Sequence, residues 1–317
     1  MSRQVIALPE VDEVQITTIT DNSVDILMPD HQVAKRYPRR RDVFGDALPI
    51  AEHGYSVLIR VRAGDRRGTV LFDTGVSRKG ILWNLDALEI DLKDVQAIVL
   101  SHGHADHAMG FPGLVDRLGA RQIPLVIHPD AYLERRLVLP NGDEFFLRPP
   151  KRSDLRRENI EVIESVEPSM LVDNLLLVSG EVERTTEFER GMAGHQAKRD
   201  GVWGPDPLIP DDQCAIVNLR GKGLVIITGC GHSGIINVIR NAQRLTGVQT
   251  IYAVLGGFHL SGRSVEKIIP ATVAALKQIG PSYLVPGHCT GWSATLQIAQ
   301  AMPEAFVPNS VGSTLFF

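Results

Sequence analysis

The chain has 317 residues, of which 44% are hydrophobic and 22% are charged, and its formal net charge is -4. This composition is typical of a globular protein, and the slightly acidic balance argues against nucleic acid or an acidic membrane surface as a partner. Three cysteines in so long a chain do not form a disulfide framework, so we expect a reducing, cytoplasmic location.

Two local features bear on location and partners. Residues 1–10 lack the apolar core of a signal peptide, and no window of the chain approaches about 18 uninterrupted apolar residues. The basic run at 35–41 is interpreted as a solvated loop. We therefore expect a small-molecule substrate and neither a nucleic-acid nor a membrane partner, and we leave a homo-oligomer open.

Short apolar runs predict strands in the first half of the chain. Residues 56–61 and 69–72 flank a turn, and residues 97–100 form a buried strand. Residues 125–127 are a further short run, and residues 171–178 predict one strand that enters a Ser-Gly turn. These runs indicate a sheet in this half of the molecule.

Strands and helices alternate in the second half. Residues 215–219 and 224–228 predict a hairpin, whereas residues 264–279 carry apolar side chains at close to a 3.6-residue period. This alternation predicts a layered α/β (α+β) protein. The remaining predicted elements are strands at 250–255 and 283–285 and helices at 234–245 and 293–302.

Residues 183–212 are the least structured stretch, with four glycines and three prolines. A loop of that length inside a compact domain is usually functional or mobile. We interpret this stretch as a lid or substrate loop within a single domain that spans residues 1–317.

The most informative part of the sequence is the histidine-rich segment, residues 101–107, which reads SHGHADH. Neutral imidazole and carboxylate groups suit zinc, iron or manganese. Alternate residues of an extended chain point to one side, so His102 and His104 are expected to hold one ion. The following turn directs Asp106 and His107 toward a second ion, and two such ions can hold a bridging hydroxide. A surface histidine cluster without metal is the alternative.

The pattern His-x-His-x-Asp-His in this segment resembles the signature of the metallo-β-lactamase fold superfamily. The sequence FDTG at 72–75 resembles that superfamily's first motif, and PGH at 286–288 resembles its last. The resemblance implies an αββα four-layer sandwich, in which two mixed β-sheets face each other and helices cover the outer faces. It also implies that Asp73 supports the metal-binding loop and that His288 binds the second metal.

Five motifs also resemble a narrower subgroup of metal-dependent hydrolases. This subgroup is similar to the 7,8-dihydropterin-6-methyl-4-(β-D-ribofuranosyl)aminobenzene-5'-phosphate synthases, which implies a pterin-related substrate. The motifs are EHG at 52–54, DDQ at 211–213, TGCGHSGI at 228–235, GGFHL at 256–260 and PGHCTG at 286–291.

The sequence departs from the superfamily pattern at two ligand positions. Glu181 stands in the turn that usually supplies a third histidine to the first metal. Cys230 follows the strand that usually ends in a bridging aspartate, and it is either a thiolate ligand or a buried inert thiol. We expect His232 to replace the missing histidine. The alternative is a histidine at a helix start that contacts substrate or phosphate.

Further histidines are assigned by the resemblance and by position. Similarity to the tRNA-processing nucleases of the superfamily implies that His259 is a general acid or a substrate contact, with a structural histidine as the alternative. His53 is expected to support the ligands or to face the substrate, and Asp73 to orient ligand side chains through hydrogen bonds. The histidines interpreted as structural are His31, His128 and His195.

The predicted activity is hydrolysis by a metal-bound hydroxide at a binuclear centre. Two divalent ions are expected, with zinc preferred and iron or manganese as alternatives, and binding brings the pKa of water toward about 7. Asp106 is expected to ligate metal and to accept a proton. The expected substrate is small and contains a phosphate, ester or lactone. An iron-dependent redox enzyme of the same fold and a non-catalytic ligand-binding member are the alternatives.

Overall fold

The computed structural model describes residues 5–37, 48–119 and 121–317. Residues 39–41 of the basic run lie outside these ranges. Among the described residues of that run, Lys35 is exposed, but Arg36 is buried and donates to Ser313 Oγ at 2.9 Å. The interpretation of a solvated loop is therefore wrong for Arg36.

The secondary structure mixes short strands with seven helices over the described ranges. Among these helices none has the length and apolar character needed to span a membrane. The helices are α1 (Arg78–Ala87), α2 (Ala105–Ala108), α3 (Phe111–Leu114), α4 (Arg152–Leu155), α5 (Ile235–Thr246), α6 (Ile269–Ile279) and α7 (Trp292–Ala301). The strands are β1 (Glu10–Val11), β2 (Glu13–Thr20), β3 (Ala34–Lys35), β4 (Ser56–Ala63), β5 (Arg66–Phe72), β6 (Ala97–Val99), β7 (Ile123–Ile127), β8 (Arg135–Val138), β9 (Glu144–Leu147), β10 (Ile160–Glu164), β11 (Ser169–Leu171), β12 (Leu176–Val178), β13 (His195–Arg199), β14 (Val202–Pro205), β15 (Cys214–Leu219), β16 (Gly223–Thr228), β17 (Ile251–Gly257), β18 (Tyr283–Gly287) and β19 (Thr314–Phe316).

The strands pair into two main sheets and one small sheet within the described residues. The first main sheet has the order β10-β7-β6-β5-β4-β2-β19-β3, and the second has the order β11-β12-β15-β16-β17-β18, with β1 beside β15. Strands β5, β6 and β7 are parallel neighbours in the first sheet, as are β16, β17 and β18 in the second. The small sheet, β14-β13-β8-β9, joins the segments that follow β7 and β12.

Alternation of side chains along the strands builds four layers. In β16, Val225 and Ile227 pack between the two main sheets, whereas Leu224 and Ile226 pack with residues of α5, α6 and α7 on the outer face. The outer face of the first sheet packs in the same way against α1 and α3. A β-strand presents successive side chains to opposite faces, so strands buried on both faces read as continuous apolar runs. The predicted αββα sandwich is confirmed.

Two predicted elements have different bounds in the structure. The strand predicted at 171–178 is the antiparallel pair β11 and β12, because Val172, Asp173 and Asn174 have φ values of 48°, 56° and 65° and reverse the chain. The helix predicted at 264–279 begins at Ile269, because a proline occupies its first turn and a 3-10 turn precedes it.

The predicted loop at 183–212 is partly β-structure. It contributes β13 and β14 to the small sheet, so part of this stretch is a hairpin. Its glycines and prolines lie mostly in the connections around the two strands, which explains why the sequence gives no clear strand signal there. Its role as a lid or substrate loop stays a prediction.

A buried arginine ties the small sheet to the histidine-rich segment. Arg135 of β8 is 2% exposed and donates to Asp206 through Nε at 2.8 Å and to Asp211 through Nη2 at 2.6 Å. Asp211 Oδ2 also accepts the backbone N–H of Gly103 at 2.8 Å. The same ion network therefore holds both the small sheet and the chain between two predicted ligands.

We expect Arg135→Ala to lower the free energy of unfolding by about 3–5 kcal/mol, because two buried carboxylates would lose their counter-charge. The matched control is Arg136→Ala in the same strand, where the arginine pairs with Glu144 and lies over the ring of Trp203 nearer the surface. Loss of such contacts costs about 1 kcal/mol. Urea unfolding of both variants measures the difference, and equal losses would contradict the assigned role of Arg135.

Candidate metal centre

The candidate ligands follow the carboxyl ends of strands from both main sheets. The histidine-rich segment leaves β6 and enters α2, which carries Asp106 and His107 and keeps the ring of His107 4.2 Å from that of His102. Gly103 is required in this segment, because a Cβ atom there would lie 1.9 Å from the carbonyl oxygen of Ala131. From the other strands, Asp73 follows β5, Cys230 follows β16, His259 follows β17 and His288 follows β18.

The first cluster consists of His102, His104 and His232, whose candidate ligand atoms lie within 4.8 Å of one another. His104 Nδ1 and His232 Nε2 are 3.1 Å apart, and His102 Nε2 is buried with no hydrogen-bond partner among the described residues. Burial is the main reason that the pKa of each of these imidazoles lies well below its usual value. Neutral rings offer lone pairs, so the arrangement fits a metal ion.

The second cluster consists of Asp106, His107, Cys230 and His288, also within 4.8 Å of one another. His107 Nε2 lies 3.1 Å from His288 Nε2 and 3.2 Å from Cys230 Sγ. A tetrahedral zinc ion with Zn–N bonds of about 2.0–2.1 Å places its nitrogen ligands roughly 3.3 Å apart. These separations therefore fit an ion held by the cluster.

The electrostatics of the second cluster also favour a cation. Burial opposes protonation of His107, yet the carboxylates of Asp106 and Asp73 raise its pKa to about 9. Burial likewise opposes ionisation of Asp106, but His107 and His288 hold the pKa of that carboxyl well below its usual range. Asp106 is thus an anion, and the cluster attracts positive charge from either a proton or a metal.

Hydrogen bonds determine which nitrogen of each ring faces the second cluster. His107 Nδ1 donates to Asp73 Oδ2 at 2.6 Å, as expected for the predicted role of Asp73. His288 Nδ1 lies 3.2 Å from Asn22 Oδ1, and the His288 backbone N–H donates to Asp21 at 2.8 Å. With the proton on Nδ1, each ring keeps its Nε2 lone pair for a metal.

Two predicted residues differ in how closely they approach the clusters. Glu181 lies outside them, because its carboxylate is 3.1 Å from His128 Nε2 and its side chain is half-exposed. His53 lies at the exposed edge of the second cluster, with Nε2 3.6 Å from Asp106 Oδ2. The position of His53 allows contact with both a ligand residue and a substrate.

A third cluster joins Cys230 to His259 and Cys289, with ligand atoms again within 4.8 Å. The ring of His259 is 4.0 Å from that of His232, and its Nε2 is 2.9 Å from Met192 Sδ. Sequence reasoning missed Cys289 as a site residue, although its place directly after His288 was a usable signal.

Sequence reasoning also underrated His195 and missed Asp21 and Asn22. The ring of His195 is 5.9 Å from that of His104 and 6.2 Å from that of His232, so this histidine of β13 lies beside the first cluster. No sequence pattern connects these residues to the ligands, because the contacts form only when distant strands pack together.

A cavity of about 420 Å³ opens beside His232 and His259. Its walls are largely apolar, and the exposed side chains of Arg190 and Lys267 line it as well. A volume of this size suits a small molecule. The apolar residues in its lining include Phe188, Met192, Phe258, Leu260, Val265 and Ile268.

The start of α5 is occupied by a carboxylate of the protein itself. Glu189 accepts the backbone N–H groups of Ile236 and Asn237, each at 2.9 Å, and Asp212 accepts that of Ser233 at 2.8 Å. These are donors that a helix start would offer to a phosphate. These backbone donors are therefore engaged within the protein in the conformation described, and the alternative that His232 contacts substrate or phosphate stays a prediction.

The sequence profile of the metallo-beta-lactamase superfamily matches residues 50–245. The chain is 30% identical to the 7,8-dihydropterin-6-methyl-4-(beta-D-ribofuranosyl)-aminobenzene-5'-phosphate synthase of Methanocaldococcus jannaschii, over 89% of this chain and 96% of that protein. It is 32% identical to the uncharacterized protein MJ0448 of the same organism, over 84% and 93% of the two chains. The crystal structure of Tm1679, a metal-dependent hydrolase of the beta-lactamase superfamily, matches with a TM-score of 0.70 and 26% identity, over 95% of this chain and 98% of that one. The chain therefore belongs to the metallo-β-lactamase superfamily.

Proposed function

We propose that this protein is a metal-dependent hydrolase that acts on a small substrate containing a phosphate, ester or lactone group. The observation that carries the proposal is the placement of the first and second clusters side by side, with the rings of His102 and His107 4.2 Å apart. Two divalent ions bound there would supply the Lewis acidity that makes water a nucleophile near neutral pH. We propose zinc, because imidazole, carboxylate and thiol groups together suit it, with iron or manganese as alternatives.

The side chains have separate roles in the proposed reaction: some hold the ions, one accepts a proton and one donates a proton. The neutral imidazoles of the first cluster and the rings of His107 and His288 would hold the ions. Asp106 is ionised and lies 3.3 Å from His288 Nε2, so it can both bind a cation and accept a proton from attacking water. His259 lies between the first cluster and the cavity, where its Nε2 atom, 2.9 Å from Met192 Sδ, can donate a proton to a leaving group.

The cavity supports a substrate with an apolar body and an acidic group. Phe188 and Phe258 provide apolar and aromatic surface, while Arg190 and Lys267 provide positive charge beside the carboxylates of Glu187 and Glu189, of which Glu189 is engaged at the start of α5. The relative from Methanocaldococcus jannaschii is named for a product that combines a pterin, an aminobenzene ring and a phosphate. We therefore include a pterin-related phosphate among the candidate substrates, bound elsewhere than at the start of α5.

An iron-dependent redox enzyme of the same fold is the main competing candidate, because the same ligand types also bind iron. The first experiment is metal analysis of protein purified without added metal, followed by a panel of a phosphodiester, a lactone and a thioester. Two zinc ions with hydrolysis of one panel member support the proposal. Two iron ions without hydrolysis of any member would contradict it.

We expect Asp106→Asn to reduce kcat/KM for the hydrolysed panel member by about 100-fold or more, because the variant loses both an anionic ligand and a proton acceptor. The control is Asp116→Asn, an exposed aspartate on the same stretch of chain, which should keep the wild-type value. Circular dichroism checks that both variants fold. Wild-type kcat/KM in Asp106→Asn would exclude the assigned role.

We expect His232→Ala to contain one equivalent of metal less than the wild type, because it removes one of three imidazoles from the first cluster. Glu181→Ala should keep the wild-type content, since Glu181 contacts His128. Both variants are reconstituted with zinc, separated from free metal and measured by plasma mass spectrometry. An unchanged metal content in His232→Ala would refute its assignment as a ligand.

A further inference from the structure

Three neighbouring strands of the second main sheet end in the same way. Strands β16, β17 and β18 are parallel, and the second residue after the end of each is Cys230, His259 and Cys289, respectively. The carboxyl ends of parallel neighbours lie at one edge of a sheet, so an equivalent position after each strand places the three side chains together. All three are residue types that bind soft or borderline metal ions.

The separations in this third cluster fit one metal ion. One ligand atom from each residue lies within 4.8 Å of the other two, and Cys289 Sγ is 3.3 Å from the carbonyl oxygen of Cys230. Zn–S bonds of about 2.3 Å and Zn–N bonds of about 2.0–2.1 Å place tetrahedral ligand atoms roughly 3.3–3.8 Å apart. Small side-chain rotations would therefore close the cluster around an ion.

Two features of the backbone, a glycine at position 257 and a positive φ angle at His259, bring the members of the third cluster together. A Cβ atom at Gly257 would lie 2.6 Å from Cys289 Sγ and 3.0 Å from Cys230 Cα, so only glycine leaves room for this approach. His259 has a φ of 45°, which a non-glycine residue seldom adopts. Its Nδ1 atom is buried and has no hydrogen-bond partner among the described residues. This nitrogen therefore has a lone pair or a proton for a further partner, and the thiol of Cys289 is among its neighbours.

We propose that Cys230, His259 and Cys289 bind a third ion, a thiophilic divalent metal of the zinc class, next to the two ions of the proposed function. Both thiols release their protons when the ion binds. Cys230 belongs to the second and third clusters, so its thiolate would bridge two ions. Three protein ligands leave a fourth tetrahedral position open, and His259 lines the cavity, so an acidic group of the substrate can occupy that position.

The test is metal binding, and it does not depend on activity. Protein stripped of metal under reducing conditions is reconstituted with Co²⁺, and its metal content and its thiolate-to-cobalt charge-transfer absorption are measured. The wild-type protein should bind three equivalents of Co²⁺ per chain. Cys289→Ser should bind two and lose part of the absorption, because Cys230 remains as a thiolate. Cys214→Ser, which changes a buried thiol of β15 outside the third cluster, should match the wild type in both measurements.

Several outcomes would overturn the third site. The first is a cobalt content of two equivalents per chain in the wild type. The second is a cobalt content and charge-transfer absorption in Cys289→Ser that equal those of the wild type. The third is a Cys230–Cys289 disulfide that persists in the wild-type protein under reducing conditions. If Cys289→Ser does not fold, His259→Ala provides the second variant, which should also lose one equivalent. Wild-type protein that binds three equivalents of cobalt but hydrolyses no substrate of the panel would contradict the proposed function alone. Wild-type protein that hydrolyses a substrate but binds only two equivalents would contradict the third site alone.

Discussion

The structure depends on an electrostatic constraint at the edge where the strand ends of the two main sheets meet. His107 Nε2 and His288 Nε2 face each other at 3.1 Å, while each ring directs its other nitrogen to an oxygen acceptor. Two neutral rings in this arrangement would oppose lone pairs in a buried site, and a cation between them, either a proton or a metal ion, turns that repulsion into attraction. Metal binding would therefore stabilise the fold as well as provide chemistry.

Buried carboxylates position the ligand-bearing loops around this centre. Asp73 holds His107, Asp21 holds the backbone of His288, and Asp211 holds the backbone of Gly103. Each of these carboxylates lies on a different part of the chain from the group that it holds. The candidate ligands consequently occupy their places through the packing of whole sheets, and the hydrogen bond to Asp73 gives the ring of His107 a defined orientation.

One wall of the centre is formed by residues 187–194, the segment that precedes β13, and by β13 itself. Glu189 attaches the segment to the start of α5, Met192 contacts His259, and His195 of β13 approaches the first cluster. The segment that the sequence marks as irregular therefore shapes the cavity. Because the carboxylate of Glu189 accepts the backbone N–H groups at the start of α5, an acidic group of the proposed substrate would instead contact side chains such as Arg190 and Lys267, or a bound metal.

The residue pattern was sufficient to predict the family, the layered fold and the core of the candidate metal centre, because His102, His104, Asp106 and His107 are close in the chain and their spacing specifies a local geometry. It also indicated His232 and His288 through short motifs. Only the packing of the strands shows which residues support these candidate ligands. Asn22 reaches His288 across 266 positions of the chain, and Cys230, His259 and Cys289 meet because their strands are neighbours. Such contacts follow from strand order, which no local pattern encodes.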